Sequence, residues 1–367
     1  MTRYQVEQAN LEDDAALRLR MAQDWMRGNL SVSFRREPSY FAGSRLQGDA
    51  VQVVKVVDMS NGTLVGMGAR LKTQLYINGK IRCVGLLTDL RAAPDVRGGT
   101  LLARKFNLLK QTHESDPVDF YLSVIMEGNT LAQQVLTSGR CGLPTYHDCG
   151  LMLTPALHLD LPKPALRVAN VLFRRALASD TDALTELFQA AAPRRQFAPD
   201  YRCVLTEQGL PNLTVADFFV AERGSQLLGC IAAWDQQSLR QTHIEAYSAG
   251  LALMRPWYNA LARISPFKPM PAIGEKIPYL YLAALTLRTD DLTLFRGLLR
   301  HVYRELRSDS WHYAIISIHQ NDPLAVVLAE YRAILSAGRL YAVHYADGAA
   351  AVAALDGRVP YFDMSRI

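Results

Sequence analysis

The chain has 367 residues, 49% of them apolar and 20% charged, with a formal net charge of +5. That length suits two domains, and that composition excludes a disordered chain. The 40 basic and 35 acidic residues are interspersed. This argues against nucleic acid, which calls for a clustered basic stripe, but admits an anionic ligand or a peripheral contact with an anionic membrane.

The N-terminal stretch has no apolar signal core, and no apolar run reaches the ~18 residues of a membrane span. The five cysteines (Cys83, Cys141, Cys149, Cys203 and Cys230) are odd in number and lack metal-type spacing. No disulfide framework and no metal site are therefore expected. A reducing cytoplasm is, with the inner membrane surface as the only peripheral alternative.

In chain order, a helix is expected over Glu12–Arg27, capped by Asn10 or Asp13. "AVQVVKVVDM" and "TLVGMGARLKTQLYI" read as strands joined through Ser60-Asn61-Gly62, and Asn78-Gly79 turns the second into "KIRCVGLLTDLRAA". A helix follows from Thr100 to His113, then the strand "DFYLSVIM", the short helix "NTLAQQVLTSG" and the strand "YHDCGLMLTPAL". Pro155, Pro162 and Pro164 mark an extended linker. Beyond it come the strand and helix of "LFRRALASDTDALTELFQAA", a hairpin turning at Arg223-Gly224-Ser225, and the buried strand "YLYLAALTL". The helix "DDLTLFRGLLRHVYREL" and the strand-turn-helix "WHYAIISIHQNDPLAVVLAEYRAI" complete the series.

The second series repeats the first. "NLEDDAALRL" matches "ASDTDALTEL", and "YLSVIMEGNTLA" matches "YAIISIHQNDPLA", where a buried strand ends at an Asn (Asn129, Asn321) that opens a helix. The fold class is accordingly α/β (α+β), with two similar units, 1–155 and 170–367, joined by a proline-rich linker at 156–169. Each unit is expected to hold a mixed, mostly antiparallel sheet flanked by helices. The second carries an insertion at 234–278, whose segment "AGLALMRPWYNALARI" is apolar, aromatic and basic. Such a segment suits a domain interface, an apolar channel or a membrane surface.

Arg97-Gly98-Gly99-Thr100 stands at the mouth of a helix. Free N–H groups and the positive end of the helix dipole make an anion site there; glycines admit a phosphate and an arginine can pair with it. A plain glycine turn beside a surface arginine is the alternative. No P-loop signature is present, and the stretch ends an antiparallel meander, not the first strand of a parallel dinucleotide unit.

"LLTDLRAAPDVRGGTLLARKFNLL" resembles motif A of the GNAT superfamily of acyl-CoA-dependent N-acyltransferases, with Asp89, Leu90, Ala92, Pro94, Arg97 and Gly98 on the pattern. "LSVIMEGNTLAQQVL" resembles the motif that follows it, with Asn129 and Ala132 in place. The chain as a whole resembles a tandem GNAT protein. The resemblance implies an N-acyltransferase in which acyl-CoA or acetyl-CoA is the co-substrate and a small-molecule or lipid amine the acceptor. It places CoA on Leu90, Arg91, Ala92, Arg97, Gly98, Gly99, Thr100, Leu101, Asn129 and Ala132. A base is expected in Asp89 or Glu127 and an acid in Tyr146, with Tyr121 as the alternative, because Leu136 stands where family members place a tyrosine. Arg35, Arg36 and Tyr40 are candidate acceptor contacts. In the second unit Asp290-Asp291 replaces the glycine loop, and carboxylates repel a pyrophosphate, so only the first unit is expected to bind CoA. A lipid-pathway member acting on a long acyl chain and a sphingoid-type amine, and a non-catalytic acyl-CoA-binding regulator, are the two further readings.

Overall fold

The computed structural model describes all residues except 1–2, 97–98, 141, 207–208 and 308–309. Strand β1 (Tyr4–Gln8) leads to Asn10, which exchanges capping hydrogen bonds with Asp13 at the entry to helix α1 (Asp14–Gln23). α1 is shorter than expected: the backbone leaves the helix at Asp24, whose carboxylate lies 3.2 Å from Arg91 Nη1. Next come β2 (Leu30–Arg35), α2 (Tyr40–Ser44), β3 (Asp49–Asp58), β4 (Thr63–Ile77) and β5 (Lys80–Ala92). The β4–β5 hairpin turns on Asn78 and Gly79, at φ of 50° and 78°, the twist that suits paired strands. Helix α3 (Gly99–Ser115), β6 (Tyr121–Met126), α4 (Thr130–Leu136) and β7 (Thr145–Leu153) complete the first series.

The second series contains β8 (Ala156–His158), β9 (Leu172–Arg175), α5 (Thr181–Ala191), β10 (Phe218–Arg223), β11 (Gln226–Trp234), β12 (Gln241–Tyr247), α6 (Ala249–Ala262), β13 (Tyr279–Leu287) and α7 (Leu292–Arg307). It ends with β14 (Tyr313–Ile316), β15 (Ile318–His319), β16 (Ala333–Ile334), β17 (Ala337–His344) and α8 (Ala349–Ala353). Pro323–Glu330, expected as an α-helix, is a 3₁₀ helix. Leu324, Val327 and Leu328 are its buried residues, and spacings of three and four put one apolar face on either form, so the pattern does not separate them.

The sheets run β1-β3-β4-β5-β6-β17-β7-β15 and β16-β8-β14-β13-β11-β10-β9. Read from opposite ends they have the same plan: an antiparallel run, then one parallel pair (β5–β6, β13–β14), then a strand lent by the other half. β17 inserts between β6 and β7, while β8 inserts between β14 and β16. The expected linker is thus not free chain, because Ala156–His158 is a paired strand of the second sheet. The 234–278 stretch is likewise tied to the first half: β12 pairs with β2.

Each sheet is packed on both faces. In the first, one core gathers Leu17, Leu71, Val84 and Leu122, and the other sets Phe106 and Leu109 of α3 against Tyr121 and Tyr341. In the second, Leu184 and Phe188 of α5 cover one face and Phe295 and Leu298 of α7 the other. Among the described residues no helix is long and apolar enough to cross a membrane.

Candidate functional site

Gly85 and Leu86 of β5 pair in parallel with Tyr121 and Leu122 of β6, and there the ladder stops. The Tyr121 ring fills the place of a Gly85 side chain. Arg70 Nε, donating to the Tyr121 hydroxyl at 2.9 Å, and His113 Nδ1, 2.7 Å from it, hold the ring. One link lies further along, the Ser123 hydroxyl donating to the Leu87 carbonyl at 3.0 Å. β6 stays paired with β17 through Met126, so β5 is the strand that departs. Its register with β4 slips between Met67 and Ala69, and Asp89 takes φ of 52°, a left-handed conformation that costs roughly 1–2 kcal/mol for a non-glycine residue.

The cleft opens into a cavity of about 390 Å³, a volume typical of small-molecule sites. Leu87–Arg91 and Ser123–Met126 line it from the splayed strands, with Phe106, Leu109 and Leu136 providing apolar wall. The second half supplies Arg240, Gln241, Tyr279, Tyr281 and Ile315.

The structure brings only part of the expected set together. Leu90 and Arg91 line the cavity, and Ala92 closes the β4–β5 ladder opposite Gly66. Asn129 caps α4 by accepting the Ala132 N–H at 3.2 Å, and both residues line the cavity. Arg97 and Gly98 lie outside the described residues. Gly99 opens α3 and is followed by Thr100 and Leu101, whose side chain packs on Val56, Val65 and Ala93. The first turn of α3 has no acidic residue to oppose an anion. One turn on, Lys105 is buried with no carboxylate partner among the described residues, and burial pulls its pKa down to about 8.

Asp89 lines the cavity but is firmly held. Its Oδ2 lies 2.7 Å from Arg36 Nη2 and accepts from the Tyr40 hydroxyl at 2.9 Å, while Oδ1 has no partner among the described residues. Arg36 also donates to Ser44 Oγ and to Gln47 Oε1, and stacks 4.8 Å from the Tyr40 ring centroid. The expectation that Arg36 and Tyr40 touch the acceptor is corrected: Tyr40 is buried behind Asp89 and does not line the cavity, and Arg36 lines it but is buried and committed to Asp89, Ser44 and Gln47. Burial with the Asp89 charge pushes the Tyr40 phenol far up. Arg35 does line the cavity, paired with Glu245 at 2.6 Å.

Glu127 does not line the cavity, so its expected role as base is also corrected: it sits in the turn after β6, nearly half exposed, 3.7 Å from Arg339. Tyr146 does line it, partly buried against Tyr341. Burial pushes its phenol well up, against the opposing influence of Ser123. Sequence reasoning missed Arg240, Gln241, Tyr279 and Tyr281, because nothing local marks them; they face the first half only through tertiary packing.

The corresponding edge of the second half is stopped. β11 and β13 also slip register, and Ala284, at φ of 53°, takes the place of Asp89. Here the exposed backbone groups are filled from within: Asp363 accepts the Ala284 N–H at 2.9 Å and the Tyr361 hydroxyl accepts the Leu285 N–H at 2.8 Å. At the start of α7, Asp291 takes the N–H groups of Thr293 and Leu294, and Asp290 pairs with Arg195.

No protein-family model matches the chain, and no curated protein matches it by sequence. Its fold is that of three solved structures of Saccharomyces cerevisiae N-myristoyltransferase. Two, with bound myristoyl-CoA, have TM-scores of 0.58 and 0.59 at 10% and 11% identity. Each covers 94% of this chain and 78% or 83% of its own. A third, with myristoyl-CoA and inhibitors, has a TM-score of 0.58 at 11% identity over 94% and 80%. The tandem GNAT architecture expected from the sequence is therefore present across nearly the whole chain.

Proposed function

We propose that the protein is an acyl-CoA-dependent N-acyltransferase with a single site, in the first half. The observation that carries this reading is the contrast between two equivalent strand edges. The β5–β6 edge opens into a cavity, while its counterpart at β13 is filled by Asp363 and Tyr361. The fold shared with enzymes solved with myristoyl-CoA supports it. The pantetheine arm would lie along Leu90–Ala92, with the phosphates toward the start of α3. The apolar wall of Phe106, Leu109 and Leu136 favours an acyl chain longer than acetyl.

In the reaction, the acceptor nitrogen attacks the thioester carbonyl. The C–N bond forms, the C–S bond breaks, and backbone N–H groups at the β5 bulge stabilise the oxyanion. Asp89 Oδ1 takes the proton that the nitrogen loses, its orientation fixed by Arg36 and Tyr40. Tyr146, kept protonated by burial, gives its proton to the departing thiolate, and the proton held on Asp89 returns to it through water, which restores both groups. The acceptor is reached from the wall built by the second half.

Calorimetric titration with acyl-CoA of rising chain length, paired with thiol release on adding amines, tests the reading. Tighter binding of longer chains and amine-dependent CoA release are expected. Absence of acyl-CoA binding sinks the proposal, and binding without thiol release for any amine replaces it with a regulatory acyl-CoA-binding role.

A further inference from the structure

Four arginines line the cavity, and three are matched to carboxylates: Arg35 to Glu245 at 2.6 Å, Arg36 to Asp89 at 2.7 Å and Arg91 to Asp24 at 3.2 Å. Arg240 has no carboxylate partner among the described residues. Its Nη1 donates to the Ser365 carbonyl at 2.9 Å and to Gln236 Oε1 at 3.3 Å, both neutral. Its Nε and Nη2 have no hydrogen-bond partner among the described residues. Asp89 lies near enough to attract its charge and Arg36 near enough to repel it, so the charge is only partly matched. A cation so held beside a cavity is costly unless an anion arrives to pair with it. The position is fixed, because Arg240 is anchored through Nη1 and through its own N–H, which donates to the Gln236 carbonyl at 2.8 Å. Tyr279 and Tyr281 line the same wall.

We infer that the acceptor amine carries a carboxylate, and that Arg240 binds it. The inference rests on the N-acyltransferase reading. The planar fork would take either a carboxylate or a phosphate, but a single partly matched positive charge is balanced by a carboxylate monoanion and overbalanced by a phosphate dianion. Arg240 belongs to the second-half wall, away from the α3 start expected to take the CoA phosphates. The acceptor class is thus the amino carboxylates, with the amine directed at Asp89.

The test compares amino acids with their amides, and with a sphingoid-type amine, as acceptors in thiol-release assays. The acids are expected to be preferred, and Arg240→Met to raise KM for the acids about tenfold or more and for the amides by much less. Equal use of acid and amide by the unaltered protein overturns the inference whatever the variant does. If no amine releases thiol, the transferase reading fails separately. Calorimetry with an N-acyl amino acid and its amide then reads Arg240 without turnover: about tenfold tighter binding of the acid is expected, and equal binding refutes it.

A different observation carries a second inference. Helix α6 is amphipathic the wrong way round. Its polar side chains face inward, Arg255 and Asn259 donating to the carbonyls of Met270 and Pro271. Leu253, Met254, Trp257, Leu261 and the following Ile264 form one outward arc, 47–86% exposed. Between Ala246 and Gly274 the sequence holds Arg255, Arg263 and Lys268 and no acidic residue. We propose that α6 docks on an anionic membrane, its apolar arc among the acyl chains and Arg263, at its C-terminal end, toward the headgroups. It directly follows β12, whose Gln241 lines the cavity.

Co-sedimentation with vesicles of phosphatidylcholine, with and without phosphatidylglycerol, tests this. Binding is expected to rise with the anionic lipid and to fall about tenfold or more in Leu253→Ser/Trp257→Ser/Leu261→Ser. No vesicle binding by the unaltered chain overturns it, as does unchanged binding by the variant. Self-association that the triple variant abolishes, with no lipid binding, assigns the face to a second copy instead.

Discussion

Arg36 and Asp89, distant in the chain, meet at 2.7 Å with side chains only 3% and 6% exposed. The pair sits on the bulge that steers β5 away from β6, so one contact both orients a cavity-lining carboxylate and holds the cleft's shape. Removing one partner leaves the other charged and buried. Asp89→Asn is expected to lower stability by about 3–5 kcal/mol. Arg36→Met/Asp89→Asn is expected to lose less than the sum of the two single changes, because no lone charge remains. Urea denaturation of the four proteins measures this; strictly additive losses would show that the pair is not coupled.

Tyr146→Phe isolates proton donation. The ring keeps its place against Tyr341, and only the hydroxyl near Ser123 is lost. A fall in kcat of about 10²-fold with little change in KM is expected, read under saturating acyl-CoA. An unchanged kcat removes Tyr146 from the mechanism.

Lys105 gives the protein a pH signature. Its pKa is about 8 folded against 10.5 as the reference, so between those values the unfolded chain binds more protons. Stability therefore rises with pH across that window, and the penalty is complete below pH 8. Lys105→Met is expected to stabilise the protein at pH 7 by up to roughly 3 kcal/mol. The advantage should shrink to nothing by about pH 10.5. Denaturation midpoints at a series of pH values decide it; a pH-independent gain would trace to packing.

Gly85→Ala tests the closed end of the cleft. The added methyl would fall on the Tyr121 ring, which Arg70 and His113 hold in place. A loss of about 1–3 kcal/mol is expected, with weaker acyl-CoA binding if the ring shift narrows the cleft. Thermal unfolding and calorimetry read the two effects.

The strands whose sequences alternate or run apolar between turn residues were legible: Thr63–Ile77 and Tyr279–Leu287 have the bounds their sequences suggest. So was the duplication, since the matched segments occupy matched places in two sheets of one plan. β17 was not legible, because its partners β6 and β7 lie in the other half and pairing so remote leaves no local trace. At the site, Asp89 and Asn129 could be read from motifs, since their roles are local to a bulge and a helix cap. Glu127 failed because position at a strand end does not fix which way a side chain leaves the turn. Tyr40 failed because a residue expected at the acceptor is core in space, and Arg36 reaches the cavity only as the partner of Asp89. Arg240 stands in no motif; its meaning lies in what fails to pair with it.

The exchange of β8 and β17 also bears on the order of events in synthesis. A chain with two self-contained halves can fold the first while the second is still being made. Here β6 and β7 must wait for Ala337–His344, which is made only after β8–β16. Until then the first sheet holds two unsatisfied strand edges, the kind that recruit other chains. The two halves therefore mature together, and nascent chains stalled before β17 should be the form that chaperones hold.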